Sequence, residues 1–408
     1  MKSTPYRVLS RIAVSGVIAS AMTLSGVAAA SAASKAPAAP KQIVIGTLYA
    51  SSGSFAQSSL PQYAGLKFWV NQMNQSGGAY VKAFHKKIPL KLVAYNDQSS
   101  STTAATLYNQ LITQNKVNIL VSDFGSVLTS VAVPIAQEHK MLLIDPTGTG
   151  DSFFSKTNPY IALTSLPTSG VWPTTLANYL IDKHYKRIAV IYDQNDFDQS
   201  QATTLTNKLK TAHITPVYNN SVPTSTSNYP VLVHAIMSSN PDAVIELGYP
   251  TNDIPFLQSV SASGAKFNML FTIFPGQLLS SMEQNVGVTS LAGTYTYPTP
   301  PLLVYNNVNF GLGMNAFATA FSKANNSAPN FLDVAGYNAG LVIQKALANT
   351  NGLSQLQLRQ SLYTFSGKMF TLDGLFKLSP TGAQIGETLP VAQLVKSGNG
   401  LKVNVVTP

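Results

Sequence analysis

The chain's five histidines, His85, His139, His184, His213 and His234, stand far apart, and none falls in an H-x-x-H or H-E-x-x-H arrangement. A protein-held zinc is usually announced by such closely spaced imidazoles, so no metal centre is expected and each histidine reads as a surface or helix residue. The chain has no cysteine. That excludes thiol catalysis, disulfides and a lipid-modified amino-terminal cysteine. No G-x-S-x-G elbow presents a serine nucleophile. The most suggestive stretch is PTGTGDSFF at 146–154, a glycine-rich loop directly after an apolar run. A dinucleotide fingerprint would need a third glycine where Phe153 stands, and a phosphate loop would need a terminal Gly-Lys-Ser/Thr. Both are missing, so no cofactor is expected.

The loop has a different use in common with two others. ASSGSFAQSS at 50–59, SDFGSVLTS at 122–130 and DPTGTGD at 145–151 each follow a short apolar run and are rich in hydroxyls and glycine. Such groups, with free amides at a helix amino terminus, can donate hydrogen bonds to a carboxylate. Most serines and threonines in such places only cap helices. Three of these loops at the carboxyl edge of one sheet tilt the balance toward a polar small-molecule site.

The elements that must carry these loops follow from hydrophobic periodicity. Ile43 to Ile45 reads as a strand; Tyr63, Leu66, Val70 and Met73 recur at helical spacing and stop at Gly77-Gly78. Strands over 90–95, 117–121 and 141–144 alternate with helices over 104–112 and 127–139. Strand–helix alternation implies a parallel sheet covered by helices on both faces. The pattern resets after the Pro/Gly-rich stretch 159–173. Strands are then expected over 187–192, 215–218, 243–247 and 269–273, with helices over 199–212, 229–238 and 253–263. Two successive α/β units of similar size argue for two lobes. YPTPPLL at 297–303 separates the second unit from helices around 312–325 and 334–349, and the tail from Phe370 onward is strand-like.

Composition sets the surroundings. The segment opening MKSTPYRVLSRIAVSGVIAS has Lys2, Arg7 and Arg11 before an apolar stretch from Ile12 to Val27, followed by Ala28, Ala29 and Ala30. This is the pattern of a cleaved export leader; the stretch is too short and too often interrupted by serine, threonine and glycine for a membrane span, which needs about 20 apolar residues. Cleavage is expected between Ala30 and Ala33, giving an extracytoplasmic, periplasmic or secreted protein with a flexible tether over 34–42. The formal charge is +10, but lysines and arginines are scattered, so nucleic-acid binding is not expected. Charged residues make up only 10% of the chain, against roughly 25% in ordinary soluble domains. A protein adapted to acidic surroundings, where carboxylates protonate, would show this depletion.

Across nearly all of residues 43–408 the sequence resembles the periplasmic substrate-binding proteins of branched-chain amino acid ABC transporters. The resemblance runs through IVIGTLYASSGSFAQ, the Asn-Gln-Ser-Gly-Gly at 74–78, YNDQSSSTTAATLYNQLI at 95–112 and FGSVLTSVAVPIAQEHKMLLIDP at 124–146. It continues through RIAVIYDQNDFDQS at 187–200, PDAVIELGYPTNDIPFLQ at 241–258, Gly374 and Gly382. It implies two Rossmann-like lobes joined by a three-strand hinge, here residues 43–165 with about 297–370 and residues 166–296 with about 371–408. It implies a monomer that closes on its ligand and presents it to a permease. By position, Ser126 matches the serine that bonds the ligand carboxylate, Thr149 a ligand-contacting threonine, and Thr147 and Gly148 the backbone beside it. Phe197 and Tyr249 match aromatic pocket positions of the second lobe.

One departure bears on the ligand. Where amino-acid binders have an acid pairing the ligand ammonium, this chain reads LFTIFPGQLLSS at 270–281, without Asp or Glu. A buried ammonium without a partner would be costly, which favours an organic acid, an aromatic carboxylate or a small amide unless Asp253 or Asp196 substitutes. Two other roles suit the fold: a sensing module for a membrane signalling system, and a small-amide hydrolase, the latter disfavoured by the missing nucleophile and metal constellations.

Overall fold

The computed structural model describes residues 38–407; the expected leader, 1–33, and the first part of the tether lie outside them. The first lobe begins with β1 (Ile43–Tyr49), α1 (Ala56–Gln75), a small hairpin of β2 (Ala79–Val81) and β3 (Lys86–Ile88), and β4 (Leu90–Asn96). It continues with α2 (Ser101–Thr113), β5 (Ile119–Val121), α3 (Gly125–Glu138), β6 (Leu143–Asp145) and β7 (Ile161–Leu163). The strands pair in parallel in the order β4-β1-β5-β6-β7. β1 is an interior strand and nearly all apolar because both faces of a parallel sheet are covered.

The second lobe comprises α4 (Pro173–Asp182), β8 (Ile188–Asp193), α5 (Asp196–Thr211), β9 (Tyr218–Val222), α6 (Pro230–Ser238), β10 (Ala243–Leu247), α7 (Pro250–Ser263), β11 (Met269–Phe271), α8 (Leu279–Val286), α9 (Val288–Leu291) and β12 (Tyr295–Thr296). The chain returns to the first lobe for α10 (Met314–Asn325), α11 (Phe331–Asn349), α12 (Gln355–Phe365) and the hairpin β13 (Met369–Thr371) and β14 (Gly374–Phe376). It finishes with β15 (Ala392–Ser397) and β16 (Gly400–Val405), which extend the second sheet to β16-β15-β12-β11-β10-β8-β9. That sheet is mixed: β15 is antiparallel to β12 and β16 to β15.

The chain thus passes between lobes after β7, β12 and β14. Met369, Leu372, Phe376 and Leu378 sit in the first lobe's core, and Leu389 and Val391 in the second's. The last passage therefore lies after Leu378, later than the expected 371. Several elements are absent from the periodicity reading: β7 inside the Pro/Gly-rich stretch, the β2–β3 hairpin, α4, α8, α9 and α12. The first lobe is held by α1 against α11, whose backbones touch: a Cβ on Gly336 would lie 1.9 Å from the Gln62 carbonyl oxygen. α11 is anchored there by a capping box in which Asn330 accepts from Leu332 N and Asp333 N while Asp333 accepts from Asn330 N.

Candidate binding site

Residues that follow β5, β6, β8, β10 and β11 converge on one cavity between the sheets' carboxyl edges. It is lined by Phe124, Thr147, Thr149 and Phe331 from the first lobe, by Phe197, Tyr249, Phe274 and Gln277 from the second, and by Trp172 just before α4. The cavity in this arrangement is narrow, with room for little more than a water molecule. The rings close on one another: Trp172 and Phe197 edge to face at 5.1 Å, Phe197 and Tyr249 at 5.3 Å, Phe124 and Tyr249 at 5.8 Å, Tyr249 and Phe274 at 6.2 Å between centroids. Gly125, Pro146, Ser165 and Leu166 complete the lining. None of the lining residues carries a charge.

Of the positions expected from sequence, Thr147, Thr149, Phe197 and Tyr249 line this cavity. Ser126 and Gly148 lie behind it. The Ser126 hydroxyl accepts from Gly150 N at 2.9 Å, and Gly148 N donates to Asp145 Oδ1 at 2.7 Å. Thr147 N also donates to Asp145, and the Thr147 hydroxyl accepts from Gly125 N at 3.0 Å while donating to Gln62. Asp145, at the end of β6, is therefore the anchor of the whole 146–150 loop. Ser122 Oγ donates to the same carboxyl oxygen at 2.8 Å.

The lobes are latched directly. The Tyr249 hydroxyl, carried at the start of α7, reaches the amino terminus of α3 and accepts from Ser126 N at 3.0 Å. Gly125 has φ +72°, and a Cβ there would stand 3.1 Å from that hydroxyl, so only glycine meets both demands. Asp196 Oδ2, in the first turn of α5, accepts from Ser152 N at 3.1 Å and Ser152 Oγ at 2.7 Å. Gln57 donates to Ser281 at the rim. Asp253 does not reach the cavity; it is buried beneath it and accepts from Phe274 N at 2.7 Å. Asp196 and Asp253, the two acids offered as partners for an ammonium, are thus occupied elsewhere.

Both sheet edges carry buried carboxyls. In the second lobe Asp193, Asp198, Glu246 and Asp253 cluster below Phe197 and Tyr249. Burial, then mutual repulsion, raises Asp193 to about 8 and holds Asp198 and Glu246 well above the usual carboxylate range; burial lifts Asp253 to about 7. In the first lobe burial lifts Asp145 to about 7 and pushes Asp97 and Asp123 upward. Burial also raises Asp373, behind Ser165, to about 6. Among the described residues no group of His, Cys, Asp or Glu is arranged to hold a metal ion. No described helix is long and apolar enough to cross a membrane.

Local sequence does not single out Phe124, Trp172, Gln277 or Phe331 for the site. Phe274 and Gln277 lie in the stretch notable for its missing acid, which was the one available signal. Trp172 sits in the Pro/Gly-rich stretch between the two α/β units, and Phe331 opens a helix far along the chain.

Comparison with known proteins agrees with this geometry. A family model described as periplasmic binding protein matches residues 42–399. A Leu/Ile/Val-binding protein of Citrobacter freundii is 25% identical over 254 residues, 62% of this chain and 65% of that protein, just under two thirds of its length. A Leu/Ile/Val-binding protein homolog 7 of Brucella abortus is 25% identical over 345 residues, 81% of this chain and 84% of that protein. Among solved structures, the substrate-binding protein of a branched-chain amino acid transporter of Streptococcus pneumoniae, in complex with isoleucine, superposes with a TM-score of 0.76. It is 17% identical, covering 90% of this chain and 100% of that one. A solute-binding protein of an ABC transporter of R. palustris, in complex with benzoate, gives 0.73 at 18% identity, covering 90% and 98%. At such identities the likeness speaks for the fold.

Proposed function

This chain belongs to the periplasmic binding protein family, and we propose that it serves as the extracytoplasmic solute-binding protein of an ABC importer. It captures a small molecule between its lobes and presents the closed form to a permease, working as an exported monomer cleaved between Ala30 and Ala33. The observation that carries this reading is the cavity itself: both lobes contribute its lining, it is sealed by rings, and no charged side chain faces it. Ser126, Thr147, Gly148, Thr149, Phe197 and Tyr249 form the ligand-binding set, with Ser126 and Gly148 supporting it from behind. Two α/β lobes whose polar latches are Tyr249, Asp196 and a rim contact suit a clamp that opens and closes.

The same lining favours a ligand without an ammonium group, a small carboxylate or amide on an apolar or aromatic body. The solved structure in complex with benzoate supports an aromatic body. The test is a thermal-shift screen of amino acids, organic acids and amides, followed by X-ray scattering. A ligand at 100 times its dissociation constant stabilises the fold by about 2.7 kcal/mol, which moves the melting point visibly. Scattering curves unchanged by a saturating ligand, or turnover of that ligand, would overturn the receptor role.

A further inference from the structure

Three polar side chains of the cavity lining, Thr149 and Ser165 from the first lobe and Gln277 from the second, have a buried atom without a hydrogen-bond partner. Thr149 Oγ1 and Gln277 Nε2 are buried, their residues 2% and 4% exposed, and neither makes a hydrogen bond. Ser165 Oγ, near the buried Asp373 carboxyl, makes no hydrogen bond either. The backbones of Thr149 and Gln277 are tied down, Thr149 O accepting from Ser169 N at 2.8 Å and Gln277 N donating to Phe274 O at 2.9 Å. The threonine hydroxyl and the carboxamide are thus left to meet a guest. Buried polar atoms in a folded protein are almost always satisfied; exceptions contributed by both lobes to one cavity mark where a ligand's polar atoms belong, and Thr149 and Gln277 are the two that stand on opposite lobes.

Four of the amides at this edge that could hold a carboxylate are already committed. Gly125 N goes to Thr147, Ser126 N to Tyr249, Gly148 N to Asp145 and Gly150 N to Ser126. No lysine, arginine or histidine lines the cavity to neutralise an anion, and no carboxylate lines it to neutralise a cation. Asp373 stands behind Ser165, outside the lining. An ion of either sign would therefore lose its hydration without compensation.

Resting on the solute-binding reading above, we propose that the ligand is a small uncharged carboxamide, gripped between the Gln277 carboxamide and the Thr149 hydroxyl with its apolar body in the ring cage. The complementarity is specific. A carboxamide offers one carbonyl acceptor and one N–H donor side by side, and the Gln277 side chain offers the reverse pair. A carboxylate offers acceptors only and would set an oxygen against the Gln277 oxygen. An ammonium offers donors only. Because the two gripping groups belong to different lobes, their bonds to one ligand are completed only as the clamp closes.

The test uses matched probes on the purified exported protein at pH 7, by thermal shift and calorimetry: benzamide, benzoate and phenylalanine, then isovaleramide, isovalerate and leucine. The amide is expected to bind at least tenfold tighter than its acid and its amino acid in one or both series. Gln277→Leu, which keeps an apolar body of similar length, should cut amide affinity tenfold or more, and Thr149→Val should do likewise if the first variant fails to fold. An acid or amino acid that binds tighter than its amide overturns the inference and leaves the receptor role standing. Amide binding that both variants leave unchanged overturns it as well. Binding of none of the six counts against the inference and the receptor role together.

Discussion

Replacing Asp145 with asparagine should remove one proton from the pH dependence of folding. The Asp145 carboxyl is wholly buried at the end of β6 and accepts from Ser122 Oγ, Thr147 N and Gly148 N through one oxygen, while its other oxygen has no partner. Burial raises it from 3.8 to about 7. Because the folded value is the higher one, the neutral form is favoured in the fold. Its contribution is fully present below about pH 3.8, declines as the unfolded chain ionises first, and is lost once pH passes the folded value near 7. Between these limits the slope is about 1.4 kcal/mol per pH unit, so the swing is about 4 kcal/mol. The asparagine side chain keeps an acceptor for Ser122, Thr147 and Gly148 but cannot ionise. Urea midpoints at half-unit steps from pH 4 to 8 should show wild type losing stability relative to Asp145→Asn across that window, with the difference flat above it. Parallel curves, or a wild type that gains on the variant as pH rises, would refute the reasoning. Asp97, Asp123, Asp193, Asp198, Glu246, Asp253, Asp333 and Asp373 are raised in the same direction. The intact protein should therefore be most stable in acid, the setting its sparse surface charge suits.

Other outcomes follow from the latches and the core. Tyr249→Phe keeps the ring but strips the acceptor from Ser126 N, a loss of about 1 kcal/mol, and should raise the radius of gyration of the ligand-free protein; an unchanged scattering curve would count against the latch. Asp196→Ala frees both Ser152 donors and should speed ligand release about fivefold to tenfold at that energy scale, read by stopped-flow quenching of Trp172 in the cavity wall. An unaltered release rate would mean the contact only decorates the rim. Gly336→Ala forces a methyl onto the Gln62 carbonyl and should cost roughly 1–3 kcal/mol or more; a melting point equal to wild type would show that α1 and α11 can slide apart freely.

Much of this protein was decided locally. Mostly apolar runs such as Ile43–Tyr49 and Ala243–Leu247, alternating with helices of period 3.6, point to covered parallel sheets. The hydroxyl- and glycine-rich loops after β1, β5 and β6 were legible because turn and cap chemistry is a matter of neighbouring residues. Short elements were not. Ile161–Leu163 is a three-residue strand whose apolar character is lost among Pro159 and Pro167, and its partners lie on β6, outside any sequence window. α4 begins with Pro173 and depends on burying Leu176, Ala177 and Leu180 against the second sheet. The cage is the extreme case. Phe124, Trp172, Phe197, Tyr249, Phe274 and Phe331 come from six separate stretches with no spacing in common. Periodicity reports only which residues share a face of one strand or helix; which faces meet is decided by packing energy gathered over long loops, after the lobes exist. The same holds for what the cavity selects. The absence of an acid at 270–281 could be read in the chain, but that Asp253 turns to the Phe274 amide, and that Thr149 and Gln277 are left facing each other's lobe, exists only once the two sheets have come together.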